Sequence, residues 1–150
     1  MRQQSHKIFI MAQWVLGHRI KPQDVSGDYD LVLGETPART PGPPPHHHNT
    51  FHEVFLVTHG EMEFIVNGKV TKVKNGESIN LPPQAVHSFS NNSEHPCKWV
   101  NIHSPKGFLR FFQDLGIPDT VKNAPQESVD SKIIQRVIKT ASEYDMIISL

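Results

Sequence analysis

From Tyr29 to His103 apolar and polar positions alternate in short runs, "YDLVLGE", "HEVFLVT", "MEFIVNG", "KVTKVKN", "SINLP", "HSFSN" and "KWVNIH", each bounded by Gly, Pro or Asn. A period of two with β-branched and aromatic residues predicts strands that bury one face. In "EMEFIVNGKVTKV" the pair Asn67-Gly68 separates two alternating segments, which predicts a hairpin, because a two-residue type I′ turn needs positive φ at both positions. Turn signals recur roughly every 8–12 residues, a spacing that favours a sandwich or small barrel over a parallel α/β sheet.

After His103 the period changes. "GFLRFFQDLG" sets Phe108, Phe111, Phe112 and Leu115 at helical spacing, with Gly116 as a stop and Pro118 preventing continuation. "SKIIQRVIKTASEY" repeats the pattern with Ile133, Ile134, Val137, Ile138 and Ala141, behind Asp130 or Ser131 as N-cap. Both helices should lay an apolar face on the strands.

The 150 residues suit one domain with one core. Lysine plus arginine and aspartate plus glutamate are equal at fifteen each, so no long-range field favours nucleic acid or an anionic membrane. A small-molecule partner is expected instead. Cys97, the single cysteine, rules out an internal disulfide framework and suits a buried thiol in a reducing cytoplasm. The apolar run "KIFIMAQWVLG" is broken by Gln13 and Trp14 and is too short to span a bilayer, so the chain is read as soluble, unprocessed and cytoplasmic.

Candidate chemistry concentrates in "PPPHHHNTFHEVFLVTHG", Pro43 to Gly60. On a strand His46 and His48 share a face and His47 takes the other. Glu53 lies an odd number of residues beyond His48, so it joins them only if a turn or bulge around Asn49 to Phe51 resets the register. With that reset His46, His48 and Glu53 converge, Phe55 and Val57 continue the inward set, and His47 and His52 fall outside it. "GESINLPPQAVHSFSN", Gly76 to Asn91, offers His87 as a fourth group, with Phe89 on its face.

These two stretches resemble the two sequence motifs of the cupin superfamily. His46-x-His48-x4-Glu53-x6-Gly60 matches the first, although the glycine expected six residues before His46 falls at Thr40, with Gly42 displaced by two. Gly76, Pro82, His87 and Asn91 match the second, and Gln84 stands where the family usually has glycine. The order of the remaining segments is similar to small single-domain cupins of the quercetin dioxygenase-like group. That resemblance implies an all-β fold: one domain over 1–150, with a jelly-roll β-barrel core over about 29–104 and short C-terminal helices over about 107–145. It also implies a homodimer, and one divalent metal per chain held by His46, His48, Glu53 and His87 inside the barrel.

Imidazole and carboxylate donors suit iron, manganese, nickel, copper, cobalt or zinc, and affinity alone does not choose among them; iron or manganese is the favoured expectation, with zinc, nickel, copper or cobalt as alternatives. The function implied is a metal-dependent, dioxygenase-like oxidoreductase acting on a small oxygenated or aromatic molecule, with Glu53 both ligand and candidate base for a substrate hydroxyl. The alternatives are a non-catalytic ligand-binding module and a Lewis-acid isomerase or hydrolase. His59 and His95 are expected at turns; His103, ending "KWVNIH", either faces the cavity or is an ordinary strand end, the second being the expectation, while Phe55, Phe64, Leu81, Phe89 and Trp99 are expected in the core.

Overall fold

The computed structural model describes residues 11–149, so the first part of the N-terminal apolar run, 7–10, lies outside the described residues. The strands follow in chain order as β1 (Gln13–Val15), β2 (His18–Gln23), β3 (Asp30–Thr36), β4 (His46–His47), β5 (His52–His59), β6 (Glu61–Val66), β7 (Lys69–Lys74), β8 (Ser78–Leu81), β9 (His87–Ser90) and β10 (Cys97–Ser104). Helix α1 (Leu109–Leu115), strand β11 (Ile117–Pro118), helices α2 (Ala124–Glu127) and α3 (Ser131–Thr140), a 3₁₀ turn (Ala141–Tyr144) and strand β12 (Ile147–Ile148) complete the order. No helix among the described residues is long and apolar enough to cross a membrane.

The strands form two antiparallel sheets, one ordered β11-β1-β2-β3-β10-β5-β8 and the other β12-β4-β9-β6-β7. The all-β barrel expectation is overturned here. Among the described residues no strand is shared between the sheets, each sheet ends in two unpaired edge strands, and only the isolated bridge between Thr40 and Asn91 lies outside the named strands. The architecture is a mixed α/β, cupin-like fold of two open sheets with a short C-terminal helical segment. Local alternation specifies which face of a strand is buried, but closure depends on edge strands meeting, which alternation does not encode.

The helices belong to the core rather than decorating it. Phe111, Phe112 and Leu115 of α1, together with Val137 and Ala141 farther on, are buried in the same cluster as Val32, Phe55, Phe64 and Trp99 of the sheets. Asp30, buried at the start of β3, accepts the Gly107 N–H at 2.7 Å and the Leu109 N–H at 3.3 Å, which ties the start of α1 to the large sheet. Of the two N-cap candidates for α3, Asp130 fills the role by accepting the Lys132 N–H at 2.9 Å. Ile138, expected on the apolar face of that helix, is instead 39% exposed.

Turn chemistry follows the sequence closely. Asn67 and Gly68 both have positive φ, 48° and 83°, and join β6 to β7 in the expected hairpin. Gly42 is demanded by close approach: a Cβ there would lie 1.4 Å from the Phe89 carbonyl oxygen, which explains a glycine two residues from the motif position. Gln84, where a glycine is usual, adopts φ 72°; its backbone N–H donates to the His48 carbonyl at 2.8 Å and its side chain to Asn49 Oδ1 at 2.9 Å. Two hydrogen bonds offset the left-handed strain.

The C-terminal segment is the unexpected element. Past α3 the chain turns at Asp145 and returns as β12, which pairs with β4 through Ile147 opposite His47 and Ile148 opposite His46. The Asp145 carboxylate accepts the backbone N–H groups of Asn49 at 2.9 Å and Thr50 at 2.8 Å, holding the bend that resets the register between His48 and Glu53. Charged hydrogen bonds to a partly exposed bend predict a loss of about 1–2 kcal/mol for Asp145→Ala, read from urea unfolding. A variant as stable as wild type would show that the bend holds itself.

Candidate metal centre

His46, His48, Glu53 and His87 come together between the two sheets, all buried, with one potential ligand atom from each lying within 4.8 Å of the others. The small sheet supplies His46 from β4 and His87 from β9, which face each other in register, and the large sheet supplies Glu53 from β5. His48 follows β4 at the entry to the Asn49–Thr50 bend. The alternation reading therefore holds at this point: His46 and His48 are buried together, His47 turns partly outward, and His52 is exposed. His59 and His95 are exposed as well.

Each of the three rings is oriented by a backbone carbonyl. Nδ1 of His46 lies 2.9 Å from the Pro44 carbonyl, Nδ1 of His48 lies 2.7 Å from that of Asp145, and Nδ1 of His87 lies 2.9 Å from that of Ala85. A carbonyl only accepts, so each Nδ1 carries the proton and each neutral ring turns a bare Nε2 lone pair inward. Those lone pairs meet a carboxylate. Glu53 Oε2 lies 3.1 Å from His87 Nε2 and 3.3 Å from His48 Nε2, and none of these three buried atoms has a hydrogen-bond partner.

Acceptors facing acceptors in a buried site are costly unless a positive charge sits among them. The donor set of three imidazoles and one carboxylate fits a divalent transition metal, and the cluster is capable of coordinating one. Glu53 is already turned for that task. Its Oε1 accepts from Asn101 Nδ2 at 2.9 Å, which leaves Oε2 to face the imidazoles.

Two residues near the cluster depart from expectation or were not anticipated. His103 is a wall of the site rather than an ordinary strand end. It is 2% exposed, its Nε2 lies 3.3 Å from Glu53 Oε1, and its ring stacks on Phe108 at 4.2 Å. Asn101, two residues earlier on β10, orients Glu53. Both share the inward face of Trp99, so alternation along "KWVNIH" carried the signal.

A cavity of about 60 Å³ adjoins the cluster, lined by His18, Phe55, Phe89, Trp99, Phe108 and Phe111 among others. One water takes roughly 10–15 Å³ on this measure, so the space suits a small molecule better than a polycyclic one.

A model of the cupin domain family matches residues 33–103, a stretch that includes all four cluster residues and His103. The chain carries a cupin domain. Over 73 residues the chain is 32% identical to quercetin 2,3-dioxygenase of Bacillus subtilis (strain 168), a match covering 49% of this chain and 21% of that enzyme. The chain thus aligns with about a fifth of that relative's length.

Among solved structures, KdgF from Halomonas sp. superposes with a TM-score of 0.58 at 20% identity, over 63% of this chain and 86% of KdgF. A sugar phosphate isomerase of the cupin superfamily from Silicibacter pomeroyi gives 0.55 at 15% identity, over 61% of each chain. The cupin domain of Schizosaccharomyces pombe Cnp3 gives 0.57 at 16% identity, over 73% of this chain and 77% of that one. At these identities the likeness is one of fold, and the fold is shared by proteins of differing description.

Electrostatics give the cupin site a signed pH dependence. Burial holds His46 down to about 3 and His103 down to about 4, so both rings are neutral near pH 7. Burial works to raise Glu53, yet the surrounding imidazoles, His103 first, hold its carboxyl well below the ordinary range. His87 moves the other way: burial lowers it, but its contact with Glu53 outweighs burial and raises it, because in metal-stripped protein only a proton can bridge Nε2 and Oε2.

Depressed His46 and His103 stabilise the fold fully above 6.5, and that contribution is lost as pH falls towards 4, because the unfolded chain takes up protons that the folded chain refuses. The Glu53 contribution is present above 4.5 and is lost below it, whereas His87 stabilises below 6.5 and loses its effect as pH rises. Above pH 4.5 the two depressed histidines oppose His87, and Glu53 joins them below it. The melting temperature of metal-stripped protein is expected to fall between pH 7 and pH 4, and a rise on acidification would mean that the His87–Glu53 proton bridge dominates.

Proposed function

We propose that this cupin is a metal-dependent, dioxygenase-like oxidoreductase acting on a small oxygenated or aromatic molecule, with one divalent ion, iron or manganese first, held by His46, His48, His87 and Glu53. The observation that carries the reading is the convergence of three carbonyl-oriented imidazoles with Glu53, the Nε2 atoms of His48 and His87 facing Oε2 with no donor among those three atoms. The partial likeness to a quercetin dioxygenase supports the redox assignment over other uses of the same donors. When bound, the ion would supply Lewis acidity and, if iron or manganese, an accessible redox couple for dioxygen and an oxygenated substrate.

The chain's own residues do the rest. Phe55, Phe89, Phe108 and Phe111 present aromatic faces to the cavity and exclude bulk water from the reacting groups. Asn101 fixes one oxygen of Glu53, which leaves Oε2 free to accept a proton from a substrate hydroxyl as well as to act as a ligand. A single buried core running from Val15 to Met146 supports one domain over 1–150. On the outer face of the large sheet Leu33, Val100 and Leu56 form an aliphatic row across β3, β10 and β5, with Leu33 44% and Leu56 39% exposed; this supports pairing as a homodimer.

Untagged protein is expected to carry about one transition-metal ion per chain by elemental analysis. His87→Ala should lose most of it and His47→Ala should keep it. Loss from the His47 variant with retention in the His87 variant would contradict the assigned ligand set.

Oxygen uptake by Fe(II)-loaded protein over flavonols, catechols and diketones tests the reaction itself, and Glu53→Gln at matched metal occupancy is expected to lower the rate by ~10²–10⁴. A loaded glutamine variant as fast as wild type would reduce Glu53 to a ligand. Tight binding of the same compounds with no uptake at all would make the protein a binding module.

A further inference from the structure

The cavity beside the cluster holds one more buried histidine that the metal reading does not use. His18 opens β2, is 3% exposed and lines the same space as His46, His48 and Glu53, on the side of Phe89, whose ring centroid is 5.1 Å away. Its Nδ1 lies 2.8 Å from Thr36 Oγ1, and its Nε2 has no hydrogen-bond partner.

The proton on this ring can be assigned by counting hydrogens. Trp99 Nε1–H, which can only donate, gives its hydrogen to the same Thr36 Oγ1 at 2.9 Å. Thr36 is fully buried, so its own hydroxyl hydrogen needs an acceptor, and His18 Nδ1 is the one in reach among the described residues. Thr36 therefore donates to Nδ1, and the ring proton resides on Nε2. Burial holds His18 down to about 4 against the nearby Pro41 carbonyl, which favours the protonated ring; near pH 7 the ring is neutral, and the Thr36 hydroxyl selects this single tautomer. It is the reverse of the arrangement in His46, His48 and His87, whose Nδ1 atoms carry the proton.

We propose that His18 presents its Nε2–H into the cavity as a fixed hydrogen-bond donor to an oxygen acceptor on the substrate, which makes it a specificity-determining residue of the site. The inference rests on the proposed reading of the cluster as the place where substrate binds, and it narrows the substrate class. The molecule has a compact apolar or aromatic skeleton to meet Phe55, Phe89, Trp99 and Phe111, one oxygen directed at the cluster, and a carbonyl, carboxylate or oxyanion oxygen directed at His18. A hydrocarbon lacking the second oxygen leaves a buried N–H unpaired and is rejected for that reason.

Histidine nitrogen NMR on wild-type, zinc-loaded protein reads the tautomer directly, and titration with benzoate, catechol and acetylacetone reads the donor. The expected results are an Nε2–H tautomer for His18, a downfield shift of that proton with at least one probe, and about tenfold weaker binding of that probe by His18→Phe. His18→Gln, which retains an N–H at similar reach, should recover most of the affinity. Zinc content should be unchanged in both variants, since His18 is not among the proposed ligands.

An Nδ1–H tautomer would overturn the proposal. So would equal probe binding by wild type and His18→Phe, or an Nε2–H signal unmoved by all three probes, which would leave the donor serving a buried water. Failure of wild-type protein to take up zinc, with the His18 tautomer as assigned, would instead count against the metal reading.

Discussion

Three backbone carbonyls decide what this protein can do. Those of Pro44, Ala85 and Asp145 take the Nδ1 protons of His46, His87 and His48, so three neutral rings turn bare nitrogens towards one another around the Glu53 carboxylate. Had side-chain hydroxyls stood in those places, either tautomer would have been available and the cluster could have settled its own hydrogen bonds. Carbonyls remove that freedom. What can relieve the converging acceptors is a metal cation or, in its place, a proton shared by His87 and Glu53, and the buried setting raises the cost of leaving them unrelieved.

The open two-sheet architecture serves that constraint. Each sheet holds part of the cluster, His46 and His87 on the small one and Glu53 on the large one, so the packing of sheet on sheet sets the site's dimensions. The helices close the space that the sheets leave open: Asp30 anchors the start of α1, which brings Phe108 onto His103, and the returning β12 delivers the Asp145 carbonyl to His48. A chain ending after α3 would lack both β12, the edge strand beside β4, and one of the three orienting carbonyls.

Much of the site was legible because it obeys a period of two. Alternation separated His46 and His48 from His47, and the odd count to Glu53 required the bend found at Asn49 and Thr50. The same rule, carried along β10 from Trp99, would have placed Asn101 and His103 inside; treating His103 as a strand end missed it. Other features depend on contacts distant in sequence. The pairing of Ile147–Ile148 with His46–His47 and the Thr36 relay behind His18 join segments that no local pattern links, and strand patterns do not say whether two sheets close into a barrel. Gln84 shows a further limit: the motif expects glycine there, yet two hydrogen bonds let a larger residue hold the left-handed turn.

Stripped protein titrated with Zn(II) and followed ring by ring through histidine nitrogen shifts tests the central claim most directly. With one ion per chain, His46, His48 and His87 should each change at Nε2 while keeping the proton on Nδ1, and His47, His52, His59 and His95 should stay as they were. Coordination through any Nδ1 of the three, or saturation with no change at their Nε2 atoms, would contradict the account.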